Sequence, residues 1–229
     1  MSKLHPNVFN IIAVAKALKP LNQDVVFVGG ATTLLYADNP DLGEARATED
    51  VDCVVELATI NEYQLLEEKL RSIGFKNSNE ANAPICRWKL GKLIVDMMPT
   101  KGSILGFTNV WYIPGFEKRR KITIPGSDIE VYVFKPEYFL ASKLEALFDR
   151  GINDLILSQD FEDIIFLAAR RLLLSEELTA SEPTAYKFIK EKLLELLKHD
   201  QFDQALSGQF PRAEQAAVRK NITDFFKQT

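Results

Sequence analysis

The spacing of apolar residues changes character about three-fifths of the way along this chain of 229 residues. Val8, Ile11, Ile12, Ala15 and Leu18 recur at helical intervals and the run stops before Pro20, which predicts a helix over 8–18. Residues 24–28 form a short β-branched run ending at Gly29-Gly30, and 31–36 read as the opening turns of a helix. Residues 50–57 are short and valine-rich, hence a strand. Residues 60–73 read as a helix with Gly74 as its C-cap. Residues 85–90 and 93–98 form two strands about a Gly91-Lys92 turn. Strands over 121–124 and 129–134 flank Pro125-Gly126-Ser127-Asp128, a run of turn residues.

Beyond Lys135-Pro136 no strand pattern recurs. Pro136 suits a first helical turn, and good helix formers follow over 137–148. Residues 161–174, 184–198 and 213–226 also show helical periodicity, with 181–183 as a connection between helices. The expected class is α/β (α+β): a mixed β-sheet with helices over 1–135, then a helical part over 136–229. Repeats and low-complexity tracts are absent.

Composition narrows the functional classes. With 46% hydrophobic and 26% charged residues, the chain has the balance of a globular protein. No apolar run approaches the roughly 20 residues that span a bilayer. Residues 1–18 lack the basic start, unbroken apolar stretch and cleavage site of a secretory signal, which places the protein in the cytoplasm. The net charge of −4 argues against non-specific coating of nucleic acid. Lys118-Arg119-Arg120-Lys121 is the densest basic cluster, either a solvated turn before a strand or an edge that contacts the phosphates of a polynucleotide. Cys53 and Cys86 sit in apolar strand segments without a CxxC pair, and read as buried free thiols. His5 and His199 lie in different helical segments, so a histidine metal site or a Ser–His–Asp triad is not expected. Catalysis would have to use carboxylates, lysine or a metal.

The stretch from Gly29 to Asp52 is the most informative. Glycines between a strand and a helix let the backbone approach a phosphate while the helix start presents N–H groups, although many ordinary turns contain them. In Asp50-Val51-Asp52 the two acids point to one face, roughly 6.5–7 Å apart along the strand. Such carboxylates repel, and a divalent cation between them removes the conflict; exposure at the strand start is the plainer alternative. Asp96 lies in the apolar strand 93–98, where an ionised side chain is expensive without a partner. If that strand pairs beside the first, three carboxylates converge, and two metal ions could polarise a triphosphate and activate a hydroxyl. Asp96 would be the base, or would orient the nucleophile. A shared ion requires that Asp96 face the other two and that no basic residue fill the space between them.

Gly29-Gly30 followed by Arg46-Ala47-Thr48-Glu49-Asp50-Val51-Asp52 resembles the GG…R-x-[ST]-x-D-x-D signature of the polymerase-β-like nucleotidyltransferase superfamily. The similarity is greatest to its AbiEii-type, toxin-like branch. A second block, Ala141-Ser142-Lys143-Leu144-Glu145-Ala146, Arg150 and Asp160-Phe161-Glu162-Asp163-Ile164, is similar to that branch's P…atKl-x-A…R…KD-x-x-D-l helices. The resemblance covers about residues 25–170. It implies a catalytic domain over 1–135 and a helical domain over 136–229 that completes the site. It implies that Asp50, Asp52 and Asp96 hold Mg2+, that Lys143 reaches the triphosphate, and that Gly29, Gly30, Arg46 and Thr48 line the phosphate pocket. Asp160 is a further nucleotide-binding candidate. Asp160 and Asp163 share a helical face and could equally be structural ion-pair partners of Lys143 or Arg150. Ala31 stands where the superfamily often has serine, and Gln159 where the branch has lysine.

The implied activity moves a nucleoside monophosphate from an NTP to a tRNA end, a protein hydroxyl or a small molecule, as the toxin of a toxin–antitoxin pair or as a housekeeping relative. Two other classes remain: a nucleotide- or partner-binding module that kept the fold without turnover, and a metal-dependent phosphohydrolase using the same acids.

Overall fold

The computed structural model describes residues 4–21, 23–38 and 45–225. The chain divides into two compact units, one of Met1–Leu35 with Arg46–Lys135 and one of Tyr36–Ala45 with Pro136–Thr229.

The first unit is built on one mixed sheet. Its strands are β1 (Val25–Val28), β2 (Asp50–Val55), β3 (Lys76–Asn77), β4 (Arg87–Leu90), β5 (Leu93–Pro99), β6 (Arg120–Thr123) and β7 (Glu130–Val133). They lie in the order β3-β4-β5-β2-β1-β7-β6. The central strand β2 runs antiparallel to β1 and parallel to β5. The turn between β4 and β5 has the two residues expected, with Leu90 paired to Leu93 and Gly91 at φ +61°. Gly at that first central position is what such a tight hairpin requires.

The two faces of β2 differ as the alternation of its residues demands. Val51, Cys53 and Val55 are fully buried, whereas Asp50 and Asp52 are half-buried. Trp88 of β4 is also fully buried, and the Arg71 guanidinium of α2 (Ile60–Ser72) lies 5.5 Å over its ring. Helix α2 therefore covers the face opposite Arg87. A capping box starts this helix, Glu62 N–H donating to Thr59 Oγ1 at 3.2 Å and Thr59 N–H to Glu62 Oε2 at 3.3 Å. Helix α1 (Pro6–Leu18) packs on β2, with Pro6 at its first turn. Two short helices, α3 (Gly102–Leu105) and α4 (Tyr112–Glu117), pack on β5 and β2 respectively. They and the two-residue β3 are too short to leave a periodic signal.

Residues 31–36, expected to open an α-helix, instead belong to a tighter 3₁₀ helix over Gly30–Tyr36. Thr32 explains the tightening. Its N–H and its hydroxyl both donate to the carbonyl of Gly29, at 3.1 and 2.8 Å.

The second unit is helical: α5 (Pro136–Ala146), α6 (Gln159–Arg170), α7 (Leu174–Thr179), α8 (Pro183–Leu197), α9 (Phe202–Gln209) and α10 (Arg212–Asp224). Helix α5 packs on α6, α7 and α8, and passes into a π turn over Leu147–Gly151. The helix expected over 161–174 is broken. Arg171 is extended, its guanidinium pairing with Asp38 and with Glu177, while Leu172 N–H donates to Asp38 Oδ2 at 2.6 Å. These contacts replace the helical hydrogen bonds that periodicity favours. The last expected helix is α10, and its Phe226 lies outside the described residues. Among the described residues no helix is long and apolar enough to cross a membrane.

Candidate active site

The site begins with register. Asp52 pairs with Val28 of β1 on one side and with Asp96 of β5 on the other, and Asp96 pairs in turn with Arg87 of β4. One row across four strands thus carries Val28, Asp52, Asp96 and Arg87. Asp50 shares the face of Asp52, two residues away. As a result, one oxygen from each of Asp50, Asp52 and Asp96 can be chosen such that all lie within 4.8 Å of one another. Asp96 is buried and faces the other two.

Gly29 completes this corner. It follows Val28, has φ +69°, and is overlain by the Asp52 side chain. A Cβ at Gly29 would fall 1.9 Å from Asp52 Oδ2, 2.7 Å from its Cγ and 2.9 Å from its Cβ. Only glycine fits there, for space as well as for backbone conformation. Gly30, beside it, is buried and begins the 3₁₀ helix.

Arg46 and Thr48 lie on the approach to β2, where a residue the sequence did not single out holds them. Asn7 of α1 is fully buried. It donates to the Arg46 carbonyl at 2.8 Å and accepts from Thr48 N–H at 2.9 Å, while the Thr48 hydroxyl donates to the Asp50 carbonyl at 3.0 Å. Nothing in local spacing announces Asn7, since its partners are about forty residues away.

Arg87 was also missed, and it departs from the requirement that no basic residue fill the space between the acids: it bridges Asp96 and Asp50, although the three carboxylates still gather around one point. Its Nε and Nη2 donate to Asp96 Oδ1 and Oδ2 at 2.9 and 2.7 Å, and Nη2 reaches Asp50 Oδ2 at 3.3 Å. The hydrogen bonds to Asp96 hold the Arg87 proton more tightly than water would. A signal was present. With the turn at Gly91-Lys92, counting outward along the hairpin sets Arg87 opposite Asp96.

The acidic corner therefore carries three carboxylates and one guanidinium. Each carboxylate oxygen has two lone pairs, so Arg87 leaves half of Asp96's accepting capacity open. An octahedral ion with bonds of 2.0–2.1 Å sets its oxygens at most about 4.2 Å apart. Adjacent corners of that octahedron lie about 2.9 Å apart, so three acids whose oxygens lie within 4.8 Å of one another would draw closer on taking up the ion. An all-oxygen donor set of this charge fits Mg2+.

No family model matches the sequence, and no curated protein matches it significantly. Solved structures do match. An antigenic nucleotidyltransferase-like protein from Paracoccidioides brasiliensis superposes with a TM-score of 0.51 at 20% identity, over 91% of this chain and 95% of that one. The antibiotic-resistance factor ANT(2'')-Ia does so with a TM-score of 0.51 at 15% identity, over 84% and 95%. This is the nucleotidyltransferase fold. At these identities the likeness is one of fold, and activity has to be argued from the site.

Within that fold, the remaining expected site residues gather in the helical unit. Lys143 of α5 is buried, with Nζ 3.0 Å from Asp160 Oδ1 and 2.6 Å from Asp163 Oδ2. Arg150, on the π turn, donates to Asp160 Oδ2 from Nε at 3.1 Å and Nη2 at 3.0 Å. Burial alone would lower the Lys143 pKa, but Asp163 and Asp160 more than reverse this and raise it. Burial likewise pushes the Asp160 carboxyl up, and Lys143 and Arg150 carry it below its ordinary value.

Two further sequence candidates, the basic cluster and the cysteines, remain. In the basic cluster, Arg119 pairs with Asp24 and lies against the rings of Phe116 and Tyr132, and Lys121 pairs with Glu130 at 3.0 Å. Arg119 and Lys121 are thus engaged within the protein, and Lys118 and Arg120 have partners as well. Cys53 and Cys86 are buried free thiols, as expected. Burial pushes both up, that of Cys86 to about 12.

Proposed function

We propose that this protein transfers a nucleoside monophosphate from a nucleoside triphosphate to an acceptor hydroxyl, releasing pyrophosphate. The observation that supports this most strongly is the convergence of Asp50, Asp52 and Asp96 on one face of the central strands of a nucleotidyltransferase fold. Asp50, Asp52 and Asp96 would hold Mg2+. The bound ion would supply positive charge where the triphosphate loses its pyrophosphate. Asp50, Asp52, Asp96 and Arg87 together sum to a formal charge of −2, which one divalent ion would balance. A second ion would arrive with the phosphates, in keeping with how Mg2+ is held in phosphoryl-transfer sites.

The chain's own groups divide the remaining work. Asp96 accepts the acceptor's proton, or orients its oxygen, through the lone pairs that Arg87 leaves open. The acceptor oxygen then bonds to the α-phosphorus as the bond to pyrophosphate breaks. Gly29 leaves room for Asp52 and, with Gly30, for close approach of a phosphate. Arg46 and Thr48, set by Asn7, line the phosphate side. Lys143 keeps the triphosphate role that the family resemblance implies for it, and Asp160, a nucleotide-binding candidate, pairs with it in the ion cluster that they form with Asp163 and Arg150.

The purified protein, incubated with Mg2+ and each α-labelled NTP, is offered total tRNA, a protein extract or a pool of hydroxylated small molecules in turn. Mg2+-dependent label transfer to one pool, abolished by Asp50→Asn, is expected. The pool identifies the acceptor class. Absence of transfer to all three, with Mn2+ still bound, refutes the transferase and favours a binding module, a second reading that the resident Arg87 cation recommends. Free phosphate released without an acceptor would indicate hydrolysis instead. The likeness to the AbiEii-type branch adds a toxin role with a cognate antitoxin, in the cytoplasm where NTPs are available. Growth arrest on expression, relieved by a neighbouring gene, tests that role.

A further inference from the structure

Arg87 enters the acidic corner from β4, across β5 from Asp52. Its guanidinium makes two parallel bonds to Asp96, at 2.9 and 2.7 Å, and one longer contact to Asp50 at 3.3 Å. A planar fork bonded through two nitrogens fixes both the position and the tilt of a carboxylate, which a point charge does not. The 3.3 Å contact lies beyond the usual N–H···O range of 2.7–3.2 Å. It is the weakest of the three.

We propose that Arg87 is a positioning residue and the site's own counter-cation, holding Asp96 oriented at all times and surrendering only Asp50 when a divalent ion enters. This rests on Asp50, Asp52 and Asp96 being the ion's ligands. Without an ion, three carboxylates this close repel one another, and the guanidinium offsets that repulsion. An arriving ion repels the guanidinium, and the single 3.3 Å contact to Asp50 yields before the two shorter bonds to Asp96, which still leave each Asp96 oxygen a lone pair for the ion. Arg87 therefore acts in opposite senses on binding and on turnover. Its charge weakens capture of the ion, and its two bonds align Asp96 for the reaction. A merely structural residue would, when removed, impair both together.

Direct Mn2+ binding, read from the electron paramagnetic resonance of the free ion, is compared in wild type, Arg87→Gln and Arg87→Lys, with thermal melts as a check of folding. Removing one unit charge about 6 Å from a divalent ion tightens binding about tenfold with the dielectric of bulk water, and screening at physiological salt reduces this to about threefold. Arg87→Gln is therefore expected to bind Mn2+ at least about threefold more tightly than wild type. Its transfer rate at saturating metal is expected to fall about 10- to 100-fold, the usual effect of losing a group that orients a ligand. Arg87→Lys keeps the charge but not the fork, so its Mn2+ affinity stays within about twofold of wild type while its turnover remains low.

Unchanged or weaker Mn2+ binding by a folded Arg87→Gln overturns the proposal, as does full turnover in Arg87→Lys. If Arg87→Gln does not fold, the 15Nε signal of Arg87 in the wild type decides. It should stay hydrogen-bonded when Mg2+ is added, and a shift to the position of a solvated arginine overturns the proposal. Wild type that binds no Mn2+ removes this proposal and the metal site together. Wild type that binds Mn2+ but transfers nothing removes the transferase, while the binding comparison still decides the role of Arg87.

Discussion

Replacing Gly29 by alanine should separate the backbone's demand from the active site's demand at one position. The first effect is conformational. At φ +69° a residue with a Cβ is strained, at a cost of about 1–2 kcal/mol. For a domain of this size, each kcal/mol lowers the melting temperature by about 2–4 °C, so a fall of about 2–8 °C is expected. The second effect is steric. The new Cβ would lie 1.9 Å from Asp52 Oδ2, and the gap has to open to about 3.0 Å before it is tolerable. Rotating the carboxylate about its own axis does not suffice, because Cγ and Cβ of Asp52 are also too close, at 2.7 and 2.9 Å. Asp52 must swing away from Asp50 and Asp96. Misplacement of a reacting group by about 1 Å can lower the rate about 100-fold. Gly91→Ala is the matched control. Gly91 has φ +61° but nothing within 4 Å of a new Cβ, so it carries the backbone strain alone. Melts, Mn2+ binding and label transfer are measured on both variants. Similar melts, with Mn2+ binding and transfer lost only in Gly29→Ala, are expected. Gly29→Ala that binds Mn2+ and turns over like Gly91→Ala refutes the assignment of Asp52 to the site.

The buried ion cluster makes a prediction about pH. Asp160 is held below its ordinary pKa, so its contribution is present above about pH 3.9 and is lost as pH falls through the lowered value. Lys143 is raised, so its contribution is present below about pH 10.4 and is lost only as pH rises through the still higher folded value. Wild-type stability from this cluster should be flat between. Lys143→Met leaves buried carboxylates short of a partner, which should destabilise by about 3–5 kcal/mol at pH 7. Some of that loss should return as pH falls toward 5, because protonation relieves the stranded acids; a denaturant series showing the wild-type profile in the variant would contradict this. Asn7→Ala strands Thr48 N–H and the Arg46 carbonyl, at about 1–3 kcal/mol, and should raise the KM for NTP more than it lowers kcat; the reverse split, read from steady-state kinetics, would argue against a phosphate-side role. Both thiols should resist a disulfide reagent in the native protein and react in guanidinium chloride, and rapid native labelling would show that Cys53 and Cys86 are not enclosed as described.

Most of the strands and the acidic residues could be read from local pattern, because burial on one face imposes alternation that a linear sequence preserves. Asp50-Val51-Asp52 and Asp96 stood out for the same reason: acids in valine- and methionine-rich strands contradict their surroundings. The Gly91-Lys92 turn could also be read, and with it the pairing of Arg87 and Asp96 was within reach. The break at Arg171 could not. It depends on Asp38, more than 130 residues earlier, whose carboxylate competes successfully with a helical hydrogen bond. Nor could the role of Asn7, since its bonds to Arg46 and Thr48 exist only once α1 lies against β2. The placing of β5 beside β2 in parallel, which brings Asp96 against Asp52, was a condition that the chain alone left open. Alternation, turns and misplaced charges are properties of neighbours in sequence and can be read there. Strand order, helix endings set by distant partners and the sharing of carboxylates with a guanidinium arise from contacts across space, and folding alone brings those groups together.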